Sequence, residues 1–101
     1  MKIIKMIAEQ IHDETDGAMH YAKNAVHYKE EYPDLARTYA EMAEQELNHA
    51  TRLHEFVVKF IAKARERVEP PKYMLELWEE EHSEIVEDVA RAKAMIAMVQ
   101  R

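Results

Sequence analysis

Residues 35–60 read LARTYAEMAEQELNHATRLHEFVVKF, and this stretch decides the fold. Steps of three and four residues along it select side chains that share one side of an α-helix, and nearly all of them are apolar or aromatic. They are Leu35, Tyr39, Met42, Glu46, His49, Leu53, Phe56 and Phe60, flanked by Ala36, Ala40, Ala43, Ala50 and Val57. We therefore predict a long amphipathic helix whose inward side is interrupted by two polar residues, Glu46 and His49.

The three prolines of the chain, Pro33 and the pair Pro70-Pro71, predict where this helix and its neighbours end. Proline inside a helix removes a backbone hydrogen bond and clashes with the preceding turn, whereas the Ala and Glu that dominate the stretches between favour helix. The predicted helices span about residues 2–31, 34–68 and 72–100. Long helices with short connections form antiparallel bundles, so we predict an all-α fold with residues 1–101 as a single domain.

Composition excludes several classes of function. The chain carries 20 Asp and Glu against 14 Lys and Arg, and the resulting net charge of −6 opposes binding to a phosphate backbone. It has no signal-peptide pattern and no run of about 18 apolar residues, the length that a membrane-spanning helix needs. We therefore expect a cytoplasmic protein with neither nucleic acid nor membrane as a partner. Because the chain has no cysteine, carboxylates and imidazoles would have to hold any metal.

The first and third predicted helices carry similar stripes. In the first the stripe is Ile4, Ile7, Ile11, Glu14, Ala18, Tyr21, Ala25, Tyr28 and Tyr32, and in the third it is Leu75, Trp78, His82, Ile85, Val89, Ala92, Ile96 and Val99. Burial of an unpaired carboxylate costs more free energy than burial of one leucine contributes. Glu14 and Glu46 therefore need a partner that compensates for their charge.

Glu46 and His49 form a Glu-x-x-His pair, and a separation of three residues places the two side chains one above the other on a helix. This is the spacing of metal ligands, and carboxylate oxygens with one imidazole suit iron or manganese. Helical bundles that bind such ions in pairs take single glutamates from some helices and Glu-x-x-His from others. The alternative is that these polar residues only fix the register of packed helices or hydrogen-bond to a neighbour.

Together these residues resemble the ferritin-like di-iron carboxylate proteins, and within them the rubrerythrin-like and encapsulated-ferritin branches. The order Glu14, Ala18, Tyr21 is similar to the Glu, small residue, Tyr order of rubrerythrin-like first helices. Residues 39–50, YAEMAEQELNHA, resemble the A-x-x-E-x-x-H-A helix of the family. The resemblance covers about residues 5–60.

The resemblance implies a di-iron site built from two chains. A family bundle has four long helices, whereas this chain is one helix short, so one protomer holds half a site. Two protomers would supply Glu14, Glu46 and His49 twice, and their paired hairpins would form a four-helix-bundle core. We therefore expect a homodimer or a higher even oligomer with two iron ions per dimer, or manganese or zinc as substitutes. Tyr21 is expected to donate a hydrogen bond to a ligand carboxylate.

The activity that the resemblance implies is ferroxidase-type oxidation of Fe(II) by O₂ or peroxide, with no catalytic residue apart from the metal ligands. Two alternatives remain: a helical oligomerisation or interaction module without metal chemistry, and metal binding for structure or sensing. The third helix also contains a Glu-x-x-His pair, Glu79 and His82, as candidate ligands for an additional metal. The alternative for His82 is a core histidine bonded to a carboxylate.

Overall fold

The computed structural model describes residues 2–67, 69 and 71–100. These residues form three α-helices, α1 (Lys2–Tyr28), α2 (Pro33–Arg65) and α3 (Lys72–Gln100), and no strand occurs among them. The prediction of an all-α chain with three helices is confirmed. The body measures 55 × 19 × 18 Å. Since a helix rises about 1.5 Å per residue, α2 alone runs for about 50 Å, nearly the whole length.

The connection between α1 and α2 is a tight turn. α1 ends at Tyr28, three residues before the predicted end at 31. The Tyr32 N–H donates to the Tyr28 carbonyl at 2.8 Å, and the Ala36 N–H donates to the Tyr32 carbonyl at 2.9 Å. Pro33 is the first residue of α2 rather than the residue before it, because the first helical turn needs no N–H at that position.

The second connection lies at the other end of the molecule. α2 ends at Arg65. Val68, the predicted last residue of the second helix, and Pro70 lie outside the described residues. Pro71 directly precedes Lys72, the first residue of α3.

Alanine fills most of the contact between α1 and α2. Six fully buried alanines are Ala18, Ala22 and Ala25 on α1 and Ala36, Ala40 and Ala43 on α2. Small side chains allow two helix backbones to approach closely. On α3, Ala92 and Ile96 belong to the same core cluster. Larger buried side chains fill the other half of the molecule: Ile7, Ile11, Val57 and Ile85.

The buried positions of α2 are therefore mainly the flanking alanines, whereas the predicted stripe of larger side chains is half-buried at five of its eight positions and exposed at Leu35, His49 and Phe56. Leu35 and Phe56, two members of that predicted stripe, are 42% and 51% exposed. The alanine rows of α1 and α2 fit against each other and permit the closest approach of the two helices. The larger side chains are consequently left at the edge of the helix pair.

Two polar contacts show on which side of the α1–α2 hairpin α3 lies. The His12 Nε2 atom is 3.7 Å from a Glu84 carboxylate oxygen on α3, and the Gln100 amide of α3 donates to Glu44 of α2 at 2.8 Å. Since successive helical residues are about 100° apart, positions two residues on from His12 and Glu44 point about 160° away from them. Those positions are Glu14 and Glu46.

Glu14 and Glu46 therefore lie on the side of the hairpin that α3 does not cover, and we call this side the open face. Its residues are Glu14 and Tyr21 of α1 with Leu35, Tyr39, Met42, Glu46, His49, Leu53, Phe56 and Phe60 of α2.

Candidate metal centre

Glu14, Glu46 and His49 come together at the middle of the open face. Each offers one ligand atom, and these atoms all lie within 4.8 Å of one another. The His49 Nδ1 atom is 3.4 Å from a Glu14 carboxylate oxygen. α1 supplies one carboxylate, whereas α2 supplies the other two groups from adjacent turns, as the separation of three residues predicts. Two antiparallel helices thus bring the three predicted ligands into one group.

The group is accessible from one side. The side chain of Glu14 is 27% exposed and that of His49 is 54% exposed. Glu46 is also only partly buried. A resident ion with ligands from this chain alone would therefore keep part of its surroundings open to solvent or to another molecule.

The neighbouring carboxyl group of Glu14 changes the acidity of Glu46. Its pairing with the Glu14 carboxyl group raises the pKa of Glu46 above the ordinary value of 4.5, and partial burial and the negative charge of Glu14 raise it further. The charge of His49 acts in the opposite direction and lowers this pKa. Two carboxylates with oxygen atoms within 4.8 Å of each other favour binding of a proton or a cation between them.

The donor set fits iron or manganese. Two carboxylate oxygens and one imidazole nitrogen form a mostly oxygen-based set, which suits these ions better than softer ones. Contact with Glu14 raises the pKa of Glu46, and a cation bound between the two carboxylates would offset their mutual repulsion, which supports this fit. Three ligands are fewer than a six-coordinate ion takes, which agrees with the open side of the group.

Tyr21 stands about two helical turns from Glu14 along α1. Its ring stacks on that of Tyr39 across the hairpin, with centroids 6.1 Å apart, and both residues are partly buried. The stack joins α1 to α2 about two turns from the candidate ligands. Donation of a hydrogen bond from Tyr21 to a ligand carboxylate stays a prediction.

Glu79 and His82 lie elsewhere. Glu79 is exposed. His82 belongs to a cluster of three stacked rings, whose centroids are 5.0 Å (His82–His54), 5.7 Å (His82–Trp78) and 6.1 Å (His54–Trp78) apart. Burial lowers the pKa of His54, and the nearby charge of His82 lowers it further. The group formed by Glu14, Glu46 and His49 includes neither Glu79 nor His82. An additional metal held by this pair of α3 stays a prediction.

Apolar periodicity does not single out one residue that borders the candidate ligands. Gly17 lies one turn after Glu14, and the atoms nearest to its missing Cβ all belong to Glu46. The sequence signal is that this is the only glycine of the chain and that it stands inside a predicted helix.

A helical hairpin that brings two glutamates and one histidine together on one side is typical of helical proteins that bind metal ions through carboxylates. The family model described as Rubrerythrin matches residues 5–98, and the chain belongs to this family, a ferritin-like di-iron family. The resemblance inferred from the sequence is thereby confirmed. No curated protein and no solved structure matches the chain.

Family membership and the Glu14, Glu46 and His49 group together point to an iron-binding redox function. Across the described residues, no helix has both the length and the apolar character that crossing a membrane requires.

Proposed function

We propose that this protein binds two iron ions between two protomers and oxidises Fe(II) with O₂ or peroxide. The observation that carries the proposal is the meeting of Glu14, Glu46 and His49 on the open face of a Rubrerythrin-family chain. The three residues would hold iron through two carboxylate oxygens and one imidazole nitrogen per protomer.

The case for a second protomer rests on what one chain leaves incomplete. Two copies related by a two-fold axis would provide four carboxylates and two imidazoles, and four ionised carboxylates match the charge of two ferrous ions. The open face also carries two exposed large apolar side chains, Phe56 at 51% and Leu35 at 42%. Apposition of two open faces would bury these side chains and form a four-helix core.

The chain's own residues would act mainly by binding and orienting. Glu46 would bind as the ionised carboxylate, so metal binding would compete with protonation of this group, whose pKa is raised. His49 would bind as the neutral imidazole, and the apolar side chains around it would exclude water once they are covered. Bound iron would supply the one-electron redox chemistry of the reaction.

The first test is elemental analysis of protein purified without chelator, followed by anaerobic Fe(II) titration. We expect about two ions per dimer and, after addition of O₂ or peroxide, a ferric absorption band that prior loading with zinc prevents. Metal binding without oxidation would favour a structural or sensory metal. A folded oligomer that binds no metal would favour an interaction module.

A further inference from the structure

Gly17 stands where a helix has no need of glycine. It lies inside α1, and its backbone does not adopt a positive φ angle. Alanine at such a position would favour the helix more than glycine does. The backbone conformation therefore gives no reason for glycine at this site, and the absence of a side chain is what distinguishes it.

The space left by that absence is occupied by Glu46. A Cβ atom built on Gly17 would lie 3.3 Å from the Glu46 Oε2 atom, 3.7 Å from its Cδ and 3.8 Å from its Cγ. The first distance is below the 3.4–4 Å of ordinary contact. Even the smallest side chain would therefore require the Glu46 carboxylate to move by a few tenths of an ångström.

We propose that Gly17 is a positioning residue that sets where the Glu46 carboxylate lies between Glu14 and His49. This inference rests on the proposed function, since it concerns the same three ligands. Metal sites need their ligands within a few tenths of an ångström of the required positions. A side chain at position 17 displaces one ligand without removing any.

Two opposite effects of Gly17→Ala follow. The substitution favours helix formation in α1, so the metal-free protein melts at a higher temperature than the wild type. The same substitution displaces Glu46, so metal affinity falls. A glycine with only a structural role would change the melting temperature and leave the affinity as it was.

The experiment compares wild type, Gly17→Ala and Gly17→Val by titration of metal-free protein with Mn²⁺ and, under anaerobic conditions, Fe²⁺. Lys23→Val is the matched control, because Lys23 is exposed on the same helix and away from Glu46. We expect affinity to fall severalfold in the alanine variant and by about tenfold or more in the valine variant, and to stay unchanged in the control. Valine binding as tightly as wild type, or an equal loss in the control, would overturn the proposal.

A double-mutant cycle adds a second measurement. Glu46→Asp shortens the ligand and draws its carboxylate away from position 17, so its cost in affinity should be smaller in the Gly17→Ala background than in the wild type. Additive losses would contradict direct positioning. A wild-type chain that binds no metal would overturn the proposed function and this inference together, whereas wild-type binding with an unchanged Gly17 series would overturn only the role of Gly17.

Discussion

The two sides of the α1–α2 hairpin differ in the size and chemistry of their side chains. The inward side of each helix, which packs against the other helix and α3, consists mainly of fully buried small residues such as Ala22 and Ala43. The open face carries aromatic and long aliphatic side chains around a group of two carboxylates and one imidazole. Close helix packing thus depends on residues without reactive groups, whereas the groups that can bind metal lie where the packing stops.

The largest effect is expected from removing the ligands themselves. Glu46→Ala and His49→Ala should abolish metal binding, and Glu14→Ala should do so or nearly so, because each would delete a bond from both halves of the proposed symmetric site. His20→Ala and His27→Ala, at exposed positions of α1, serve as controls and should retain the metal.

The readout for this ligand series is metal content per chain by elemental analysis. Full occupancy in the Glu46 and His49 variants would mean that the polar residues of the open face are structural.

A charge on the open face should separate the protomers. Phe56→Glu places a carboxylate where the proposed dimer buries an aromatic ring, and we expect a shift from dimer to monomer at micromolar concentration. Val58→Glu is a matched control, since Val58 lies on the same helix with the same 51% exposure but outside the open face. Light scattering coupled to size exclusion measures both.

If Phe56→Glu and Val58→Glu retained the same mass as wild type, the open face would not be the dimer contact. A wild-type chain found as a stable monomer with full metal content would remove the shared site altogether.

A change in the packed interior between the helices should act on stability. Ala22→Leu overfills the contact between α1 and α2, where Ala22 is fully buried, and should reduce the free energy of unfolding by about 1–3 kcal/mol. Lys23→Leu adds a similar side chain at the neighbouring exposed position and should change it by less than about 0.5 kcal/mol. Urea unfolding of metal-free protein checks the pair, and equal effects would contradict the distinction between the two sides.

The smallest effect concerns pH. Because the pKa of Glu46 is raised in the folded chain, this group stabilises the metal-free fold at pH values below its ordinary 4.5. That contribution is lost as pH rises through the folded pKa, so the metal-free protein should weaken from mildly acid toward neutral pH. The iron-bound protein should strengthen over the same range as its ligands lose their protons.

Melting curves with and without iron across this range test the opposite slopes. Glu46→Gln should remove the pH dependence that Glu46 contributes to the metal-free protein, whereas Glu41→Gln, at an exposed position of α2, should leave it in place. Identical slopes with and without iron would contradict the assignment of Glu46 as a ligand.

How far the sequence predicts this molecule depends on which interactions are local. Helix number follows from the positions of proline and from apolar periodicity, which are properties of short stretches. The meeting of Glu14 with Glu46 also follows in part, since Glu14 lies 14 residues before the end of α1 and Glu46 lies 13 residues after the start of α2, which puts them at the same height in an antiparallel hairpin. These inferences require only the repeat of the helix and the order of the elements.

Features that depend on the fit between helices were missed. Steps of three and four residues select two adjacent rows on α2, and only the contact with α1 decides that the row of Ala40 is buried and the row of Phe56 is not. The stack of His82 on His54 depends in the same way on where α3 lies. The clearance at Gly17 is a distance between side-chain atoms that no spacing in the sequence encodes.

The exposure of His49 has a thermodynamic consequence for a site shared between two chains. When ligands come from both chains, metal binding and association are linked equilibria, and each strengthens the other by the same factor. Apparent metal affinity would then rise with protein concentration, and chelation would promote dissociation of the chains. The cellular abundance of the protein would set the free iron level at which the site fills.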